Sequence, residues 1–341
     1  MISMPPTDKS IDGKRVLITG AGGFIGSHLM HAFVHLGANV LGIDRDMAQF
    51  DKCWKPEGRS AGEPKSSDET HLVEEGCRFP PAIRTLDLSS VDDTVALFED
   101  FRPQYVYHLA SAADAQEGFD QVTPSISGGI GLTVNVLEAF RQFPGELFVF
   151  ADTSKVYGDP GVSYDASLTE NPLSSYAIAK SAAWQFCKYH HRLYGSNVVS
   201  MRPTIIYGPG QPKNLIAYVI DELLHGRTTI KLLGGEQTRD PLHCDDLIRA
   251  YLSMPRHVDE ISGRVINVGG GNEISIADLV HKIADLMDTK VEVQIDQSQI
   301  RPTDSMRSFC NNDDARRWLD WSPEIDLETG LLALIEANTE S

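Results

Sequence analysis

A glycine-rich turn, Thr19-Gly20-Ala21-Gly22-Gly23-Phe24-Ile25-Gly26, sits between an apolar run at Arg15–Thr19 and a helical pattern at Gly23–Leu36. Gly20 permits the tight turn, Gly23 lets backbone N–H groups approach a pyrophosphate, and Gly26 lets helix and strand pack closely. The helix that opens with Phe24 and Ile25 adds positive potential at its N-terminus for the phosphates. A second strand, Asn39–Ile43, runs up to Asp44, where a carboxylate hydrogen-bonds an adenosine ribose and repels a 2′-phosphate. Strand, turn, helix, strand and acid together predict a βαβ unit that binds a dinucleotide, with NAD favoured over NADP. Arg45 follows directly, and a guanidinium there is also compatible with the phosphorylated cofactor.

The alternation continues along the chain. Strands are expected at Ile83–Leu86, Tyr105–His108, Leu147–Phe150 and Asn197–Met201, with helices at Val91–Phe101, Leu132–Phe143 and Ser175 to about Tyr194. Strands separated by helices pair in parallel through right-handed crossovers. The expected fold class is therefore α/β: a Rossmann doubly wound parallel sheet with a smaller C-terminal α/β substrate domain. Residues 12–200 are assigned to the NAD-binding domain and 201–341 mainly to the substrate domain, with some elements returning to the first. The change falls near Tyr207-Gly208-Pro209-Gly210, after which elements shorten and turns multiply. Residues 46–81, rich in Pro, Gly, Ser, Glu and Lys, read as an excursion on the sheet edge, with a lid or a subunit contact as alternatives.

A net charge of −18 argues against nucleic acid or an anionic membrane as partner, because binding phosphate backbones needs clustered Lys and Arg. No apolar run reaches the roughly 18 residues that a membrane span needs. The stretch Met1 to Lys14 lacks the apolar segment of a secretory signal. Cys53, Cys77, Cys187, Cys244 and Cys310 are scattered and odd in number, which fits reduced thiols in the cytoplasm. His28, His31 and His35 on one helix, and His190-His191 on another, are expected to be solvated, with no metal bound.

Tyr176-Ala177-Ile178-Ala179-Lys180 places a phenol and an ammonium four residues apart on a helix, facing the same way. The ammonium stabilises phenolate, and such a tyrosine can accept a hydroxyl proton while hydride leaves for a cofactor. Other motifs fall in order around this pair. Asp87-Leu88 follows the third strand, His108-Leu109-Ala110-Ser111 the fourth, and Asp152-Thr153-Ser154-Lys155-Val156-Tyr157-Gly158 the fifth. From Lys14 to about Ile335 the chain resembles the extended short-chain dehydrogenase/reductase family, the NAD-dependent nucleotide-sugar epimerases and dehydratases.

The resemblance implies roles residue by residue. Thr153 would hydrogen-bond the reacting sugar oxygen, Tyr176 would be the general base and acid, and Lys180 would hold the nicotinamide ribose. Asp87 and Leu88 would meet the adenine, Leu109, Ala110 and Ser111 would line the nicotinamide side, and Pro203 would lie beside the carboxamide. Asn214-Leu215 and Arg239, in Thr238-Arg239-Asp240, would contact the nucleotide sugar. Arg301, in Arg301-Pro302-Thr303-Asp304, would clamp the diphosphate, as guanidinium forks match phosphate oxygens. The implied cofactor is NAD and the implied substrate a nucleotide-diphosphate sugar. The helices Leu132–Phe143 and Ser175–Tyr194 resemble the pair through which family members form homodimers.

Departures from the family pattern narrow the reaction. Where dehydratases carry a glutamate for elimination at the sugar's C5, this chain has Lys155. A lysine does not replace a carboxylate base unless burial depresses its pKa strongly. The expectation is an epimerase acting through a transient keto-sugar. The alternatives are a 4,6-dehydratase, a keto-sugar reductase, or a scaffold that binds NAD without turnover. Gly129 and Ile205 stand where the family often has asparagine, which removes two polar contacts to the sugar diphosphate but leaves the redox residues intact.

Overall fold

The computed structural model describes residues 11–46, 69–71, 81–111, 118–211, 214–301 and 303–339, with the backbone alone at 69–71 and 299. In chain order the strands are β1 (Arg15–Thr19), β2 (Asn39–Asp44), β3 (Glu69–His71), β4 (Ala82–Thr85), β5 (Tyr105–His108), β6 (Leu147–Ala151) and β7 (Val198–Pro203). They continue as β8 (Ile206–Tyr207), β9 (Thr229–Leu232), β10 (Thr238–Arg239), β11 (Leu242–His243), β12 (Val265–Val268), β13 (Ile274–Ser275) and β14 (Glu292–Ile295).

Val16, Leu17 and Ile18 are wholly buried, so β1 has no solvent face and must lie in mid-sheet with both sides covered. It does: the main sheet runs β12-β7-β6-β5-β1-β2-β4-β3. β1 pairs in parallel with β2 and β5, as do β2 with β4, β5 with β6, and β6 with β7. The Ser200 N–H reaches Arg264 C=O and the Thr204 N–H reaches Val268 C=O, so β12 is parallel to β7 as well.

Side-chain alternation on β5 explains the double winding. Val106 joins a core with Leu97 and Phe98 of the helix Val91–Phe101 and Val136 and Phe140 of the helix Leu132–Gln142. Tyr107 points the other way, against Phe33 of the helix Phe24–His35 and against Tyr251. The strand order reverses at β1, and the carboxyl ends of β1, β2 and β5 meet there, where open α/β sheets bind their ligands.

Each strand and helix expected in the first 203 residues is found to within one or two residues, and further elements join them. Within the segment 46–81, β3 pairs antiparallel with β4 and forms the sheet edge, while residues 47–68 and 72–80 lie outside the described residues. Ahead of the helix Leu132–Gln142, residues Ile126–Gly131 form a π-helical turn. Gly129 lies there so close to the helix Ser175–Tyr194 that an added Cβ would come 3.2 Å from Ala179 Cβ.

The described chain divides into two compact units. One contains residues up to Asp152 together with 174–201 and 248–266; the other contains 153–173, 202–247 and 267 onward. The second unit has its own core. Ile216, Val219 and Ile220 from the helix Leu215–Leu224 meet Leu279, Val280 and Ile283 from Ile276–Leu286, and Leu331 and Leu334 from Leu327–Thr339. Three two-stranded ladders, β10-β13, β11-β8 and β14-β9, complete it. Among the described residues no helix is long and apolar enough to cross a membrane.

Candidate active site

Gly20 adopts φ +73°, and its N–H donates to Ile43 C=O at 2.8 Å, which folds the turn back onto β2. A Cβ on Gly20 would meet Ala110 N at 2.8 Å, and one on Gly26 would meet Gly20 O at 2.1 Å. Gly26 is thus required by helix-to-turn contact. At Gly23 the helix starts with no side-chain cap hydrogen bond, which leaves its first backbone N–H groups without a side-chain acceptor from that position. Asp44 Oδ2 accepts the Gly22 N–H at 2.9 Å and Oδ1 accepts the Arg45 N–H at 2.8 Å, which fixes the carboxylate at the end of β2. An acid beside a glycine cradle and an uncapped helix fits the ribose and pyrophosphate of NAD. Nearby, Asp87 accepts the Ser89 N–H, and the Leu88 carbonyl is held by Asn135 Nδ2 at 2.8 Å.

Leu109 and Ala110 are tied to the same turn. The Leu109 N–H donates to Thr19 O and the Ala110 N–H to Thr19 Oγ1, while Ser111 follows half-buried. Thr19 Oγ1 also lies 2.8 Å from His108 Nδ1, and His108 Nε2 lies 3.0 Å from Thr133 Oγ1. Thr133 spends its one proton on Gly129 C=O, so it must accept from His108, and Nε2 carries the ring hydrogen. Burial, helped by the Lys180 ammonium, lowers the His108 pKa to about 3 and keeps the ring neutral, as this chain of bonds requires.

On the helix Ser175–Tyr194, Ser174 caps the start by accepting the Ala177 N–H at 3.2 Å. Tyr176 in its first turn is half-buried, and Lys180 one turn later is only 4 % exposed. Lys180 Nζ donates to Ala151 C=O at 2.6 Å and lies 5.9 Å from the Tyr176 ring centroid. Burial lowers the lysine pKa to about 8, with the Asp152 charge opposing the shift.

The residues expected to face the sugar nucleotide, and Pro203, expected beside the carboxamide, belong to the second unit. Thr153 opens a short 3₁₀ turn, Ser154–Tyr157, and its Oγ1 accepts the Lys155 N–H, while the Lys155 side chain is exposed. Pro203 is buried at the end of β7. Arg239 and the 301–304 turn come together: Arg239 Nη2 donates to Asp304 Oδ1 at 2.6 Å and Nη1 to the Ser305 carbonyl at 2.9 Å. The Asp304 N–H in turn closes on Arg301 C=O, and the Arg301 side chain stands exposed. Asn214 stands at the start of the helix Leu215–Leu224. Its Oδ1 caps the helix Leu215–Leu224 through the Ala217 N–H, and its Nδ2 donates to Gln211 Oε1; Leu215 packs into the core.

A family model described as the NAD dependent epimerase/dehydratase family matches residues 16–269. The chain belongs to that family. It is 26% identical over 331 residues to a UDP-glucuronate 4-epimerase of Thermodesulfobacterium geofontis, covering 95% of this chain and 96% of the relative. It is 26% identical over 330 residues to a human dTDP-D-glucose 4,6-dehydratase, covering 95% and 89%. Among solved structures, a UDP-glucuronic acid 4-epimerase from Bacillus cereus, in complex with UDP-glucuronic acid and NAD, superposes with a TM-score of 0.81. That structure is 26% identical and covers 96% of this chain and 99% of its own.

Within this epimerase/dehydratase framework, several ordering residues carry no signal in the sequence. Asp240 is fully buried and accepts the Asn272 and Cys310 N–H groups at 3.1 Å each; burial raises its pKa to about 6 against those bonds. Arg202, also buried, pairs with Glu170 and lies 5.0 Å over the Tyr157 ring. His190 is buried against Phe140 and Tyr194, a correction to its expected solvation, because the helix packs that face inward. Strand or helix periodicity signals none of these, since each is a polar residue whose burial depends on a distant segment.

Proposed function

We propose that this protein is an NAD-dependent nucleotide-sugar epimerase acting through a transient keto-sugar. The observation that carries the reading is Tyr176 beside a buried Lys180 ammonium on one helix, with an exposed lysine rather than a glutamate at position 155. The unit bearing the glycine turn holds the cofactor, through Gly20, Gly23, Phe24, Ile25, Gly26, Asp44, Asp87 and Leu88. The other unit holds the sugar nucleotide, with Arg239 and Arg301 toward the diphosphate. NAD, when bound, supplies the acceptor that takes a hydride from the sugar and later returns it. Tyr176 removes the hydroxyl proton as phenolate and gives it back when the hydroxyl re-forms. Thr153 positions the reacting oxygen; its bond from the Lys155 N–H uses a lone pair and not the hydroxyl proton.

UDP-glucuronic acid and dTDP-glucose are the first substrates to test, given the names of the relatives. The expected product is an epimer formed with no net consumption of cofactor. Solvent deuterium at C5 with loss of water would instead establish a dehydratase, and stoichiometric NAD(P)H use a reductase. The alkaline side of the pH profile is a second check. Lys180 is cationic below its pKa of about 8 and neutral above it, so phenolate support is lost as pH rises through that value. The rate should therefore fall above about pH 8; a rate flat across the alkaline range would remove Lys180 from the mechanism.

A homodimer is part of this proposal. Ile178, Phe186, Tyr189 and Leu193 recur along one face of the helix Ser175–Tyr194 and are all exposed. Tyr189→Glu together with Leu193→Glu should convert a dimer to a monomer in sedimentation velocity. A wild-type monomer would refute it. The buried free thiols Cys187, Cys244 and Cys310 support a reducing, cytoplasmic setting.

A further inference from the structure

Asp152 follows directly on β6, is only 5 % exposed, and takes no part in the binding or proton-transfer roles assigned above. A carboxylate that deeply buried is costly unless a counter-charge and hydrogen bonds hold it. Both are present. Ser200, wholly buried on β7, donates its hydroxyl to Asp152 Oδ2 at 2.8 Å, and the Asp152 N–H is fixed to Met201 C=O at 2.9 Å. The residue before it, Ala151, receives the Lys180 ammonium on its carbonyl at 2.6 Å.

We propose that Asp152 is the buried counter-ion of Lys180, a positioning residue that keeps the ammonium charged and aimed at Tyr176. Three neighbouring groups do not take over the task. His108 is neutral, the Cys187 thiol is pushed up by burial, and Tyr251 stays a phenol because burial raises its pKa too. Asp152 is the carboxylate among the groups that act on Lys180, and its charge works against the desolvation that would strip the lysine of its proton. Tyr176 itself lies within electrostatic reach of the same cluster, because it and Asp152 both act on Tyr251. The tyrosine that moves the proton, the lysine that supports it and the acid that supports the lysine thus share one buried charge balance.

The proposal rests on the catalytic reading of Tyr176 and Lys180, and its test separates the two. Asp152→Asn keeps shape and removes charge, Lys180→Met removes the ammonium, and the double variant removes both. In urea denaturation of the NAD-loaded protein, each single change should lower the midpoint, and the double variant should recover much of the loss, because neither partner is left unpaired. A single variant too unstable to purify beside a double variant that folds supports the pairing equally. Additive losses, or a double variant worse than both, would overturn the pairing whatever the enzyme's activity. In the folded Asp152→Asn protein the alkaline limb of the rate should move by about one unit or more to lower pH, since an opposite charge nearby shifts a pKa by about 1–3 units. An unmoved limb despite coupling in the urea cycle would show that the pair exists but Lys180 does not limit turnover. That outcome would count against the catalytic reading while leaving the ion pair standing. Asp152→Glu, which keeps the charge, should restore the wild-type limb, a rescue that simple packing would not produce.

Discussion

Tyr176→Phe is expected to lower turnover about 10³-fold while leaving NAD bound. The size follows from general acid–base catalysis, which contributes about 10²–10⁴-fold and here depends on one phenolic oxygen. The substitution removes that oxygen and little else. Tyr176 is half-buried on a helix whose start is set by the Ser174 cap and whose position is set by Ala177, Ala179, Ala183 and Trp184, all buried. The fold and the glycine cradle therefore persist. Turnover and cofactor content, read as epimer formed and as NAD released on denaturation, should separate cleanly. Turnover within about tenfold of wild type, short of what acid–base catalysis contributes, would refute the assigned role.

Gly26→Ala should do the reverse, damaging the cofactor cradle and the fold together. The new methyl would sit 2.1 Å from Gly20 O and 2.9 Å from Ala21 Cα, both backbone atoms of the turn, so no side-chain rotation relieves the clash. Either the helix Phe24–His35 moves off the sheet or the turn opens, and both disturb the uncapped helix start that the proposed NAD site uses. Overpacking of this kind costs about 1–3 kcal/mol, and a rigid backbone neighbour places this case near the top, about 3 kcal/mol. The expected result is a lowered urea midpoint and an NAD affinity weakened by at least about tenfold, the equivalent of about 1.4 kcal/mol. Gly161→Ala is a fair control, because an added Cβ there has nothing within 4 Å and meets only the strain of φ +71°. Equal effects at the two positions would show that crowding at Gly26 is not the cause.

Much of this is legible in the chain. The strands β1, β2 and β5 read directly because buried parallel strands are short continuous apolar runs, and Gly20 and Gly26 read because no other residue fits their backbone positions. Tyr176 and Lys180 read because helical spacing of four puts them on one face. Some features do not read. Asn214 caps a helix through Ala217 N–H, and a carboxamide before a helix suits either that use or a ligand contact. The sequence shows Arg239 as a contact for the nucleotide sugar but not its tie to Asp304, a partner 65 residues away. Asp152 and His190 look ordinary because burial of a polar side chain depends on what packs over it.

The glycine turn and the Tyr176–Lys180 pair are thus legible in the sequence alone, because a positive φ at Gly20, the crowding at Gly26 and the helical period leave little choice of residue, although distant segments also contact both. Tertiary structure decided the charges. It closed a line of hydrogen bonds from Ala110 through His108 to Gly129, and placed Asp152 with Lys180 in a region that water does not screen. Protonation states depend on solvent and on neighbours far along the chain, and only the folded sheet brings those neighbours together.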